Sequence, residues 1–263
     1  MVFNEAQPIT LVFLHGWGMN KMVWQPLLSK HDFSHSGKVE SLQLDLPGFG
    51  YNQFVVEPDS YSLDSLSSHI EKQLPDNSII VGWSLAGLIA QTLVNKLSAK
   101  VIGQVQVCST PKFTQTEDWP GIKPIVLQQF AKQLKQDHKA LLKRFLAIQC
   151  MGLDNAKSVY KEMYEALTQH PLSNEEALTQ SLALLSSTDL RGRLVTGSIN
   201  TPSLRIFGGL DSLVPKKALP LIQQIYRNDE FYLIDKASHA PFISHPDNFA
   251  SILNTFTFNN FLK

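Results

Sequence analysis

The stretch Ile79-Ile80-Val81-Gly82-Trp83-Ser84-Leu85-Ala86-Gly87-Leu88 constrains this chain more than any other. An apolar run dense in β-branched residues meets a glycine, then Trp and Ser, then small residues, and helical spacing follows. That is the layout of a strand, a very tight turn and a helix. A serine at the apex of such a turn is held in a strained conformation, with its hydroxyl pushed clear of the sheet. The helix behind it directs free N–H groups and a positive dipole end at the same spot. A serine hydroxyl alone is a poor nucleophile. The reading therefore requires a base, an orienting acid and an oxyanion hole elsewhere in the chain.

The surrounding sequence supplies a scaffold of the right kind. Apolar runs at 9–14, 41–45, 78–81 and 101–108 read as strands, separated by helical patterns at 22–29, 63–74 and 88–97. Alternation at this spacing means a parallel sheet with crossover helices. It stops between about 111 and 187, where the patterns are helical only, and resumes with strands at 203–207 and 230–234. A helix at 216–226 joins these two strands, and Pro246 opens a C-terminal helix. The simplest organisation is a core of residues 1–110 and 188–263 with a helical cap, 111–187, inserted in it. Such a cap would sit over the carboxyl ends of the strands, where open α/β sheets bind ligands. At 263 residues and 43% hydrophobic, the chain suits one core with one insertion.

Charge and cysteine content narrow the setting. Lys plus Arg number 23 and Asp plus Glu 23, so no global charge argues for nucleic acid or an anionic membrane. Cys108 and Cys150 show no metal or redox spacing, and Cys108 lies in an apolar run as a reduced core residue. The first apolar run is far too short for a signal core or a membrane span. A cytoplasmic chain is expected.

Three polar residues directly follow strands: Ser84, Asp211 and His239, in that chain order. His239 is the candidate base and Asp211 the candidate acid; Asp189, where the insertion rejoins the core, is the rival acid. His15-Gly16-Trp17-Gly18 forms a tight loop after the first strand, with His15 expected to brace it. Asp45, also at a strand end, belongs to a loop read as structural.

With these residues in hand, the chain resembles a known family. Gly82 to Gly87, His15 to Gly18 and Asp45-Leu-Pro-Gly-Phe-Gly50 are similar to the Ser-nucleophile α/β-hydrolases. Three further stretches resemble the pimeloyl-acyl-carrier-protein methyl ester esterases of biotin synthesis. These are Trp119-Pro-Gly-Ile-Lys-Pro124, Arg144-Phe-Leu-Ala-Ile-Gln-Cys-Met-Gly152 and His239-Ala-Pro-Phe-Ile-Ser-His-Pro246. The resemblance runs from about residue 11 to 249. It implies an α/β-hydrolase fold, a mostly parallel sheet flanked by helices, with a helical cap. It implies Ser84, Asp211 and His239 as catalytic residues, and the backbone N–H groups of Trp17 and Leu85 as the oxyanion hole. No cofactor and no metal are implied. Two departures stand out: Ala86 replaces the elbow's usual second glycine, and the family's leading antiparallel strands are expected to be shortened or partly missing.

The family's substrate rides on an acidic acyl-carrier protein, so the resemblance gives meaning to a cluster of cap cations. Arg144 matches a cap arginine of the family, Lys157 and Lys161 stand where it has arginines, and Lys139 and Lys143 join by proximity. These five are the expected carrier-docking residues; a solvated helix face is the plain alternative. Trp17, Trp83, Leu85, Phe145 and Met151 are candidates to line an apolar acyl channel. A monomer is expected, with no nucleic acid or membrane partner. A broad short-chain carboxylesterase, a C–C bond hydrolase with the same triad, and a non-catalytic binding homologue remain the alternative functions.

Overall fold

The computed structural model describes residues 7–52, 61–192 and 201–263. Its strands are β1 Ile9–Leu14, β2 Val39–Leu44, β3 Ser78–Trp83, β4 Val101–Val107, β5 Ser203–Gly208 and β6 Glu230–Ile234. They form one sheet in the order β2-β1-β3-β4-β5-β6. Every pairing is parallel. β1, β3, β4 and β5 are buried along their whole length, which is why their sequences are continuous apolar runs. β2 and β6, at the edges, carry exposed positions.

The strand order reverses between β1 and β3. The chain steps outward from β1 to β2, then returns to β3 and proceeds the other way. At such a switch point the loops leaving two adjacent strands splay apart and leave a crevice at their carboxyl ends. Here the two loops are the one beginning His15-Gly16-Trp17 and the elbow at Ser84.

The crossover helices match the sequence pattern closely. α1 spans Gln25–Lys30 behind a 3-10 turn at Lys21–Trp24, and α2 spans Leu63–Glu71 with the Ser62 hydroxyl accepting from the Ser65 N–H. α3, Leu85–Asn95, begins directly after Ser84, earlier than the helical spacing predicts. Its first residues Leu85, Ala86 and Gly87 are all buried, so no amphipathic stripe marks the start.

Among the described residues, four helices lie between β4 and β5: α4 Pro124–Gln136, α5 His138–Gln149, α6 Ala156–Thr168 and α7 Glu175–Ser187. Asp137 ends α4 and caps α5, and Asn174 caps α7. This helical segment is bonded to the loops at the carboxyl ends of β1 and β2. Trp17 Nε1 donates to the Leu178 carbonyl at 3.0 Å, Asn20 Nδ2 to the Leu167 carbonyl at 3.1 Å, and the Asn174 N–H to the Gly48 carbonyl at 2.8 Å. At its base, Arg191 forms a two-toothed pair with Asp189 and reaches Asp118 at 2.8 Å. Lys112 meets Asp189 at 3.2 Å, so both connections of the segment are tied together.

Beyond β5 come a 3-10 turn at Lys216–Ala218, α8 Leu219–Ile225, a short α9 Pro241–Ser244 and α10 Pro246–Phe261. α9 is too short to leave a periodic signal. The expected leading antiparallel strands fall on residues 1–6, outside the described residues. No described helix is long and apolar enough to cross a membrane.

Candidate active site

The elbow forms because its residues permit very close backbone approach. A Cβ on Gly82 would lie 2.5 Å from the Ala86 carbonyl oxygen and 2.9 Å from the Gly87 nitrogen. Ala86 itself is fully buried, and its methyl group is accommodated. Ser84 adopts φ 56° and ψ −117°, a conformation that costs a non-glycine residue roughly 1–3 kcal/mol. Hydrogen bonds to both of its backbone groups hold it there. Its N–H donates to the Val107 carbonyl at 2.9 Å, and its carbonyl accepts from Ser109 Oγ at 2.8 Å. Ser109 carries no sequence signal for this role.

His239 Nε2 lies 3.0 Å from Ser84 Oγ, and His239 Nδ1 lies 2.8 Å from Asp211 Oδ2. An ionised carboxylate only accepts, so Nδ1 carries the ring proton and Nε2 is the acceptor facing the serine. The other Asp211 oxygen accepts from the backbone N–H groups of Leu213 at 2.8 Å and Val214 at 3.1 Å. All three side chains are buried. Residues at 84, 211 and 239 are thus one hydrogen-bonded chain in the fold. Asp189, the rival acid, is committed to Arg191 and Lys112, which hold its carboxyl well below the usual range.

The glycine loop comes right up to the serine. A Cβ on Gly16 would meet the Ser84 Cβ and the Trp83 ring, both at 3.1 Å. His15 braces this loop: its Nδ1 bonds the Gly16 carbonyl at 2.8 Å and its Nε2 accepts from the Leu46 N–H at 3.0 Å. Asp45 is structural too, accepting from the N–H groups of Lys21 and Tyr51. Among the described residues, no acceptor is bonded to the backbone N–H of Trp17 or to that of Leu85 at the start of α3.

The five apolar candidates fall in different places. The Trp17 ring meets Phe145 edge-on at 4.9 Å, so the β1 loop and α5 come together. Leu85 is buried behind the serine. Trp83 has a bracing position: its indole N–H donates to the His239 carbonyl at 2.8 Å and its ring packs on Phe242. Met151 stands apart from the buried lining at 57% exposed. α5 ends at Gln149, and the turn through Gly152 at φ 82° brings the chain round beside Leu210, with Met151 on the outside.

The sequence shows no metal-ligand spacing, yet the fold brings donor atoms of Cys108, Asp211 and His239 within 4.8 Å of one another. Ligation needs a thiolate. Burial, and then the Asp211 carboxylate, push the Cys108 thiol well up, so it stays protonated. Cys108 is the buried core residue that its sequence setting predicts, but it borders the site.

A model of the α/β hydrolase family matches residues 11–252. The chain belongs to the α/β-hydrolase family. The hydrolase is 39% identical over 246 residues to a pimeloyl-[acyl-carrier protein] methyl ester esterase of Klebsiella pneumoniae (strain 342), covering 92% of this chain and 91% of that one. It is also 39% identical to the esterase of the same name from Aeromonas hydrophila, over 94% of each chain. It is thus a relative of these esterases across nearly its whole length. Among solved structures, an esterase from Exiguobacterium antarcticum superposes with a TM-score of 0.81, at 19% identity over 95% of this chain and 92% of that chain. A bromoperoxidase from Bacillus anthracis gives 0.79, at 20% identity and the same coverage. These two share the fold.

The five candidate docking cations of the hydrolase are all exposed, on α5 and α6, which pack together. Lys143 on α5 lies over the Tyr164 ring of α6 at 5.6 Å, whereas Arg144 turns toward α4 and bonds Gln133 Oε1 at 3.3 Å. Lys161 pairs with Glu165 one turn on.

Proposed function

We propose that this hydrolase is a serine carboxylesterase that cleaves the methyl ester of a pimeloyl group borne by an acyl-carrier protein, yielding pimeloyl-acyl-carrier protein and methanol. The observation that carries the catalytic half is the position of His239 between Ser84 Oγ and Asp211 Oδ2. His239 Nε2 takes the hydroxyl proton as Ser84 Oγ attacks the ester carbonyl. Asp211 keeps the imidazole in the required tautomer and stabilises the imidazolium that forms. The unbonded N–H groups of Trp17 and Leu85 receive the oxyanion. One such donor contributes about 10²–10³ in rate. As the intermediate collapses, imidazolium gives its proton to the departing methoxide oxygen, releasing methanol. In the second half His239 draws a proton from water, which attacks the acyl-enzyme and frees the acid and Ser84. Every proton in this cycle moves between Ser84, His239, the leaving alcohol and water.

The substrate half rests on the kinship with the two esterases. Gly16, beside Trp17, comes close to Ser84, and Trp17 packs on Phe145 of α5; we assign these two and Leu85 to the apolar acyl channel. Lys139, Lys143, Arg144, Lys157 and Lys161 offer an exposed basic face to an acidic carrier, raising chiefly the association rate. We read the enzyme as a cytoplasmic monomer that needs no cofactor.

A fluorophosphonate probe tests the catalytic half. The wild-type protein should be labelled on one serine and Ser84→Ala should not; labelling that persists in Ser84→Ala contradicts the assignment. Charge reversal at Arg144, Lys157 and Lys161 tests the docking face. Turnover of the carrier-bound ester at low salt should fall, and unchanged turnover would remove the patch from the account.

A further inference from the structure

Cys108 closes β4 in a left-handed conformation, φ 46°, which few non-glycine residues adopt. Its N–H is fixed by the Ile206 carbonyl of β5 at 2.8 Å. Beyond the carboxyl end of the strand, the side chain meets the loops that carry Asp211 and His239. There Sγ lies 3.8 Å from the carbonyl oxygen of Ser238, the residue before His239. It is also within 4.8 Å of the Asp211 and His239 donor atoms. All four residues are buried, with Ser238, His239 and Cys108 at 1% exposure or less.

We infer that Cys108 is a positioning residue for the Asp211–His239 pair, its thiol donating to the Ser238 carbonyl and so holding the backbone of His239 against Asp211. The inference rests on the esterase reading above and goes beyond it, because the thiol touches neither substrate nor Ser84 in that mechanism. A neutral thiol is a weak donor with a single proton, and the Ser238 carbonyl is the acceptor it meets. Burial and Asp211 keep the proton on sulfur, so the role available to it is donation. Among the described residues, the titratable groups facing His239 are Asp211 from the loop after β5 and Cys108 from the end of β4; the Ser84 hydroxyl and the Trp83 ring are its neutral neighbours. Anchoring the Ser238 carbonyl fixes the main chain that carries His239, and so the alignment of its Nδ1–H with Asp211 Oδ2. Removing that anchor loosens the pairing, which weakens the hold of Asp211 on the imidazolium and lowers the pH at which His239 becomes a free base.

The test compares wild type, Cys108→Ala and Cys108→Ser on p-nitrophenyl butyrate, as kcat and KM against pH. It adds proton NMR of the low-field ring N–H of His239. For Cys108→Ala, kcat should fall about three- to tenfold, the size of one ordinary hydrogen bond. KM should stay within about twofold, since no substrate contact is lost. The acidic limb should move downward by about half a unit, and the low-field resonance should shift. Cys108→Ser, which keeps a donor, should return the limb and the resonance toward wild type. An unchanged limb and resonance in Cys108→Ala overturn the inference, even if the protein melts earlier, because that outcome is packing alone. The resonance reports on the pair without turnover. An inactive wild type would therefore refute the esterase reading while the shift, or its absence, still decides the role of Cys108.

Discussion

Trp83, the residue before the proposed nucleophile, donates its indole N–H to the carbonyl oxygen of His239, the proposed base, at 2.8 Å. One turn of chain thus presents the serine and holds the histidine that faces it. Trp83→Phe keeps the ring packed on Phe242 but leaves a buried carbonyl without its donor. An unmet buried acceptor costs about 1–3 kcal/mol. We expect kcat to drop about tenfold with little change in KM, measured on any ester the enzyme accepts.

The strain at Ser84 separates stability from activity. φ 56° and ψ −117° suit glycine far better than a residue with a Cβ. Ser84→Gly and Ser84→Ala should both abolish turnover, yet Ser84→Gly should be the more stable of the two by about 1 kcal/mol in urea unfolding. Equal stability of the two variants would mean that the turn is not strained.

Asp211 and Asp189 are the two acids that the sequence offers for the triad, and their surroundings assign them different work. Asp211 meets His239 and two backbone N–H groups, whereas Asp189 meets Arg191 and Lys112. Asp211→Asn should lose about 10⁴ in kcat, because the imidazole loses its tautomer and its counter-charge. Asp189→Asn should keep phosphonate labelling of Ser84 and lower the melting temperature, most visibly above the ordinary Asp range, where the native carboxylate is ionised.

His15 gives the fold a dependence on acid. Burial is the leading influence and lowers its pKa; Asp45 and the Gly16 carbonyl act in the opposite sense more weakly. A histidine with a depressed folded pKa contributes stability that is present above the unfolded value of about 6.5 and is lost as pH falls through the folded one. Urea unfolding between pH 7 and 5 should show stability declining with acid, and His15→Gln should flatten that slope. A slope unchanged by the substitution would assign the decline to other groups.

Much of this was legible in the sequence for identifiable reasons. Buried parallel strands are continuous apolar runs, and Ser84, Asp211 and His239 each follow one, so their convergence came with the topology. The start of α3 was not legible, because Leu85 to Gly87 are buried on every side and show no period. The bracing positions of Trp83 and Cys108 could not be read either. They depend on contacts to His239 and Ser238, 156 and 130 residues away, and neither contact leaves a local pattern. Met151 was misplaced for a related reason: it lies beyond the end of α5, where helical spacing no longer says which way a side chain points. Ser109 was invisible because a buried hydroxyl bonded to a backbone carbonyl has no sequence signature.

The central claim is that this hydrolase acts on an ester presented by a carrier protein. The direct measurement is kcat/KM for pimeloyl-acyl-carrier-protein methyl ester beside that for short free methyl esters, under one set of low-salt conditions. The account predicts a clear preference for the carrier-bound ester that shrinks as salt is raised, since exposed cap cations supply the attraction. Equal kcat/KM on the carrier-bound and free esters would contradict it.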